Sequence, residues 1–239
     1  MNSTRQIQEV ERSAHAGSHG AWRKTFCTEY RRALNQIRLE IYQELLLHLA
    51  AIGESVTCKK GCIHCCFHYV SVSIAHSIVI VDYLYSRADA LKQFLRNYDR
   101  WRNSIESNPR KIEVLRKLEE CTTLSPIVKR TPQDLLSDYH DMTIPCPFLF
   151  NSACAIYPVR PICCESHYSV SPPQWCMATS PNMPAIYEIL PSEANLHKLQ
   201  DLADHRLTLH QESLPTIVYR LLTKGLPLVL QELDELAGA

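Results

Sequence analysis

The 239-residue sequence predicts a mainly α protein, a helical domain wrapped around an irregular cysteine-rich centre. Three observations predict it. Apolar residues recur at three- and four-residue steps in both halves of the chain, the period of a helix face. Only 6 glycines are present, too few for the turns and close backbone approaches of a nucleotide-binding α/β sheet. Between the periodic regions lies a stretch that loses the period and gains prolines and cysteines.

The elements follow in order. The opening segment, MNSTRQIQEVERSAHAGSHG, has no apolar core and no small-residue cleavage site. It reads as a loose tail over residues 1–20, not a secretory signal. Over 22–52, Phe26, Tyr30, Ala33, Leu34, Ile37, Ile41, Leu45 and Leu49 form one apolar face of a long helix, and Gly53 supplies a stop. A cysteine-rich loop occupies 58–66. Residues 68–73 alternate and read as extended, and Ser73 is placed to cap a helix over 74–86. The next helix, 88–105, carries Leu91, Phe94, Leu95, Tyr98 and Trp101 on one side. Asn108-Pro109 is a cap followed by proline at the first helical position, opening a helix to about Glu120; Thr131-Pro132 repeats the signature before a short helix to about Tyr139.

Residues 143–191 hold most of the chain's 14 prolines and five cysteines, Cys146, Cys154, Cys163, Cys164 and Cys176. With no period, this stretch is expected to be irregular and held by something other than apolar packing. Ser192 is expected to cap a helix to about His210 with Leu196, Leu199, Leu202 and Leu207 inward, and helices over 214–224 and 226–236 part at Gly225. The length suits one domain over 21–239, with its cysteine core at about 57–176 and C-terminal helices over 192–237.

Charge and composition exclude several functions. Lys+Arg and Asp+Glu balance at 25 each, so nothing draws the chain to a phosphate backbone, and no nucleic-acid partner is expected. The longest apolar runs, 45–47 and 78–81, fall far short of the roughly 20 residues that span a bilayer, so no membrane partner is expected either. The expected location is the cytoplasm, where thiols stay reduced and cysteine clusters more often bind metal than form disulfides. The 11 cysteines are an odd number, so at least one stays unpaired. There is no G-x-S-x-G elbow, phosphate loop, HExxH or kinase signature. Glu40, Glu44 and Asp82 read as solvated helix faces, and the lone Cys27 and Cys121 as small core hydrophobes.

The chemistry lies in two dense groups. The first is Cys58-Lys-Lys-Gly-Cys62-Ile-His-Cys65-Cys66. The second runs from Cys146-Pro-Phe-Leu through Cys154-Ala-Ile-Tyr-Pro-Val-Arg-Pro-Ile-Cys163-Cys164, with Cys176 following. Short spacings let one loop turn several sulfurs toward a point. A tetrahedral zinc takes four at about 2.3 Å, and four cysteinates also hold an iron–sulfur cluster. Consecutive side chains diverge, so Cys65 and Cys66 are not expected to ligate one mononuclear ion. Ligands drawn from both groups would pin the proline-rich stretch to the first loop, about 80 residues earlier. Lys59, Lys60 and Arg160 are placed to offset thiolate charge, with Arg160 stiffened between two prolines to bond sulfur. His64, His68 and His167 lie beside the groups as neighbours or ligands.

These motifs, CKKGCIHCC, CPFL and CAIYPVRPICC, resemble the YkgJ-like cysteine-cluster family, a zinc- or iron-chelating domain with a CxxCxxCC-type signature that also resembles part of flagellin lysine methylases. The resemblance implies a metal partner, zinc or iron (the iron as an iron–sulfur cluster in one version), held by Cys58, Cys62, Cys65, Cys66, Cys146, Cys154, Cys164 and the trailing Cys176. Two positions depart from the family pattern. Cys163 is extra, and Glu165 stands where the family commonly has arginine.

Zinc and iron–sulfur both fit the spacing. Cys58-x3-Cys62-x2-Cys65 also has the spacing of radical S-adenosylmethionine enzymes, but helices and scarce glycines follow it in place of a βα barrel. Seven or eight thiolates exceed the four of one structural zinc, which favours a cluster or a two-metal site. Three function classes stay open: a metal-binding protein, a metal-cluster enzyme of protein modification, and a thiol redox protein.

Overall fold

A computed structural model describes residues 19–123 and 133–237. The expected N-terminal tail up to residue 18 and the Thr131-Pro132 helix start lie outside the described residues.

Helix α1, His19–Ala51, begins at residues assigned above to the tail. Phe26, Cys27, Tyr30, Leu34, Ile37, Ile41, Leu45 and Leu49 are buried along it, the stripe that the 3.6-residue period demands. It ends in a Schellman motif. Gly53 takes φ +74°, its N–H reaches Ala50 O, and Glu54 N–H reaches Leu49 O at 3.0 Å.

The expected extended segment is a short strand, β1 (Ser71–Ser73), which feeds helix α2 (Ile74–Tyr85). Ser73 caps α2, its hydroxyl accepting from His76 N–H. Helix α2 is apolar on nearly every side, which marks a helix surrounded by others. Ile74, Ala75, Ile78, Val79, Ile80, Val81 and Leu84 are all buried, and α2 packs on α1 before it and on three of the helices that follow. Asp82, expected on a solvated face, is half-buried and pairs with Arg23 at 3.1 Å.

Helix α3 (Ala88–Glu106) buries Leu91, Phe94, Leu95, Tyr98, Trp101 and Ile105. Helix α4 (Pro109–Thr123) starts as expected, with Asn108 Oδ1 accepting from Arg110 N–H at 2.9 Å. Helix α5 (Gln133–Asp141) turns Tyr139 inward, where its hydroxyl accepts from Trp101 Nε1–H at 3.1 Å.

The irregular centre is a run of two- and three-residue strands and single 3₁₀ turns. A hairpin pairs β2 (Leu149–Phe150) with β3 (Ala153–Cys154), and β4 (His167–Ser169) pairs with β5 (Ile186–Glu188). The β2–β3 turn places Asn151 and Ser152 at positive φ, the two-residue geometry that matches strand twist. Phe148 anchors the hairpin by stacking on Phe94, ring centroids 4.3 Å apart. Truncating a buried phenylalanine of this kind costs about 3–5 kcal/mol. Proline at 145 and 147 removes backbone donors there; Asn97 on α3 instead donates Nδ2–H to Pro147 O and Leu149 O at 3.1 and 3.2 Å.

One expectation for the C-terminal part needs correction. The helix starting after Ser192 stops early, as α6 (Glu193–Gln200), and a new short helix α7 (His205–Leu209) begins behind its own cap. Asp204 causes the break. Its carboxylate accepts from Arg206 N–H at 2.8 Å, a capping bond that competes with a continuous helix. Leu196, expected inward, faces outward (43% exposed), while Leu199 and Leu207 are buried. Strand β6 (Gln211–Ser213), not foreseen, pairs antiparallel with β1, and helices α8 (Leu214–Lys224) and α9 (Leu226–Ala237) follow across Gly225 at φ +80°. Among the described residues, no helix is long and apolar enough to cross a membrane. One buried apolar cluster runs from Phe26 to Val229.

His76 ties this core to the irregular centre. Its Nε2–H donates to Val159 O at 3.0 Å inside the protein, and burial pulls its pKa down to about 4. A depressed imidazole is neutral when folded and takes a proton first when unfolded. Its contribution is therefore whole above pH 6.5 and drains away as pH falls toward 4. We expect wild-type stability, relative to His76→Gln, to fall by up to about 3 kcal/mol between pH 7.5 and pH 4 in urea denaturation. Parallel pH profiles for the two proteins would remove this role.

Candidate metal centre

Four backbone segments bring the cysteines together. The first is the loop 58–66, turned at Gly61 (φ +97°) and closed by Cys62 N–H donating to Lys59 O at 2.9 Å. It ends in a 3₁₀ turn, His64–Phe67, that carries Cys65 and Cys66. The second is the β2–β3 hairpin, which returns Cys154 beside Cys146; Leu149 N–H bonds Cys146 O at 2.9 Å and Ala155 N–H bonds Phe148 O at 2.8 Å. The third is the pair of 3₁₀ turns Tyr157–Val159 and Ile162–Cys164, and the fourth runs from β4 to the turn Pro173–Cys176.

Bonds between these segments fix their approach. Cys146 N–H donates to Cys66 O at 2.7 Å, joining the two sequence groups. Thr57 N–H donates to Ser169 O at 2.9 Å, and Ser169 N–H donates to Cys58 Sγ at 3.2 Å. The turn bearing Cys65 packs on the turn bearing Cys176.

The result is a cavity of about 730 Å³ whose wall includes Cys58, Cys62, Cys65, Cys66, Cys146, Cys154 and Cys164. Cys176 does not line it but lies within electrostatic range of Cys58 and Cys62, which do. The eight sequence-derived candidates thus share one region. Cys163 is exposed and turns its thiol to Ser71 O at 3.6 Å. Cys27 is in the apolar core, its thiol 3.9 Å from Ile78 O, and Cys121 is away from the cavity on α4. His68 and His167 line the cavity, but His68 stacks on His140 at 4.3 Å and His167 Nε2 stands 3.4 Å from Glu188 Oε1; His64 does not line it.

Burial dominates the electrostatics. It pushes the Cys65 and Cys66 thiols up to about 12, and neighbouring cysteines add to the rise. Cys58, Cys146, Cys154 and Cys176 are raised for the same first reason. Backbone N–H groups oppose it: Phe148 bonds the Cys146 sulfur, Ile156 that of Cys154 and Ser169 that of Cys58. Arg160 opposes it too, its charge acting on Cys58, Cys65, Cys66 and Cys154.

Arg160 does this without the sulfur hydrogen bond expected from its sequence setting. Its Nε–H donates to Glu165 Oε1 at 2.6 Å, and its guanidinium lies over the Tyr157 ring at 4.0 Å. Arg38, on α1, holds the other side of Glu165. Its Nε stands 3.1 Å from Oε2, an ion pair at an angle outside a hydrogen bond, and it also donates to Pro158 O at 3.0 Å and to Arg160 O. Glu165 is therefore a bridge between two cations. Sequence reading missed Arg38, because a lone arginine on the flank of a long helix carries no local signal.

Among the described residues, no three His, Cys, Asp or Glu side chains already stand in the spacing of a finished ligand shell. Seven of the eight candidate cysteines nonetheless line one cavity. No family model matches this chain, and no curated protein or solved structure does.

The bridge generates a stability prediction. Glu165→Gln leaves two guanidinium groups facing each other and should cost on the order of 2 kcal/mol, below the range for fully buried pairs because these side chains are partly solvated. In a double-mutant cycle with Arg38→Met, chemical denaturation should give a coupling above about 0.5 kcal/mol. Strict additivity would show that Arg38 and Glu165 act separately.

Proposed function

We propose that this chain is a metal-binding cysteine-cluster protein. It chelates zinc or iron, the iron as an ion or as an iron–sulfur cluster, through Cys58, Cys62, Cys65, Cys66, Cys146, Cys154, Cys164 and Cys176. This is the YkgJ-like reading that its three motifs imply. One observation carries it: cysteines from two groups about 80 residues apart line one cavity.

The donor chemistry fits. Thiolate sulfur suits zinc, iron and iron–sulfur clusters, and N–H groups aimed at the sulfurs of Cys58, Cys146 and Cys154 stabilise the ligand charge. Both metal ligation and disulfide exchange need the thiolate. Burial disfavours it at Cys65 and Cys66, and a bound cation would favour it. When bound, the metal contributes a fixed charge and a cross-link between the four segments. The chain's own residues orient the sulfurs, shield them from solvent and balance their charge through Arg160. A reducing compartment such as the cytoplasm suits this reading, and the balanced charge gives no reason to invoke nucleic acid.

The cavity favours a second reading. At about 730 Å³ it falls in the size range of small-molecule sites, and Leu39, Tyr42, Tyr157 and Tyr168 give it an apolar and aromatic side. In that reading the metal serves an enzyme of protein modification, with substrate bound beside it.

Elemental analysis and absorption spectroscopy of anaerobically purified protein test the proposal. Tightly held zinc, or iron with sulfur-to-metal charge-transfer bands, is expected. Cys62→Ser, Cys154→Ser and Cys164→Ser should lower metal content and stability together, because metal binding is folding free energy. Cys27→Ser and Cys121→Ser should leave metal content unchanged. Chelation should loosen residues 143–191 in hydrogen exchange far more than α8 and α9. A metal-free wild type, or full metal in all three of the first variants, would overturn the reading.

A further inference from the structure

The wall of the cysteine cavity carries a positive excess in a chain that has no net charge overall. Among the described residues it holds four arginine and lysine side chains, Arg38, Lys59, Lys60 and Arg160, against one carboxylate, Glu165. Glu165 is already engaged, facing Arg38 at 3.1 Å and Arg160 at 2.6 Å. Lys59 and Lys60 lie outside that bridge. Both are exposed, and neither pairs with a carboxylate among the described residues.

Lys60 Nζ stands 5.7 Å from the centre of the Tyr157 ring, and the Arg160 guanidinium 4.0 Å from the same centre. Two cations gathered at one ring repel each other, and the ring face offsets only part of that cost. The sequence setting of the lysines suggested that they balance thiolate charge. Exposure works against this, because solvent screens an exposed ammonium from sulfurs inside the protein. The same exposure suits them to meet an anion that arrives from solvent.

Apolar side chains stand ready for the rest of such a ligand. Leu39 and Tyr42 line the cavity from α1 yet stay 57% and 44% exposed, and the Tyr42 ring lies 6.2 Å from that of Tyr168, which lines it too. Large apolar groups left open beside unpaired cations mark a surface that a ligand covers.

We infer that the cavity binds a small organic carboxylate with an aromatic body, its charge held by Lys59 and Lys60 and its body laid on Leu39, Tyr42 and Tyr168. A phosphate group is the lesser match. It is gripped best by guanidinium forks, and those of Arg38 and Arg160 are already turned to Glu165, Pro158 O and Arg160 O. The inference needs the cavity but no metal, so it goes beyond the metal-binding reading. It also gives a chemical class to the substrate of the second reading.

Isothermal titration calorimetry of the full chain as purified, with its metal content measured in parallel, tests this. 2-Naphthoate should bind saturably at one equivalent. 2-Naphthamide, the same body without the charge, and inorganic phosphate, charge without the body, should each bind at least about tenfold more weakly. Lys59→Gln/Lys60→Gln should weaken naphthoate binding about tenfold and Leu39→Ala severalfold, both with metal content unchanged. These positions are exposed, so the variants should fold as wild type does. A wild type that does not bind naphthoate overturns the inference. So does equal affinity for naphthamide or for phosphate, and so does a lysine variant that keeps its affinity for naphthoate. Naphthoate bound by a metal-free wild type supports the inference and overturns the metal-binding reading instead.

Discussion

Burial of sulfur beside a single well-placed guanidinium is the constraint on which the irregular centre depends. Burial disfavours the thiolate form at most of these cysteines, among them Cys65, Cys66, Cys146 and Cys154. Apolar packing alone does not demand this; a core of small hydrophobes would tolerate isolated cysteines such as Cys27 without N–H groups pointing at their sulfurs. Here three backbone amides and Arg160 are all aimed at stabilising negative charge that burial opposes. Opposing tendencies of this kind, held in one cavity, characterise functional sites.

The helices make that arrangement affordable. Most of the large apolar burial lies in α1, α2, α3 and α8. The centre contributes short pieces, Val159, Ile156 and Phe148, that plug into this scaffold as anchors. Between anchors the backbone is free to take 3₁₀ turns and positive φ angles, which aim sulfurs but bury little apolar surface. The scaffold supplies rigidity, and the loops supply chemistry, the division expected when function sits on connections.

The helical half of this design was legible in the sequence, and its limits have identifiable physical causes. Ser73, Asn108 and Ser192 cap where their side chains and spacing said they would, because a cap is a local interaction. The Schellman stop at Gly53 is equally local. The uninterrupted helix after Ser192 failed at Asp204, where leucine spacing was read and the second cap was not. Strand β6 escaped notice because its partner β1 lies about 140 residues away. For the site, cysteine spacing pointed to both groups and to the divergence of Cys65 from Cys66. It did not show how the β2–β3 hairpin and the Pro173–Cys176 turn fold back toward the first loop.

The most instructive departure is Glu165. A carboxylate next to Cys164 works against thiolate ligands, and the motif resemblance sets arginine there. In isolation that residue argues against a metal centre. In the fold it is spent otherwise: its two oxygens face Arg160 and Arg38, so the negative charge is neutralised locally and used to orient a cation. Two arginines and one glutamate leave a net single positive charge, the same sign one arginine would have given. Arg38 comes from α1, nearly 130 residues before Glu165, and its further bonds to Pro158 O and Arg160 O hold the intervening turn against that helix. Glu165 therefore leaves the sign of the local field positive, with one of its two cations supplied by the helical scaffold. A positive charge held by rigid helix and by three separate acceptors loses less freedom when the site forms than one on a mobile loop.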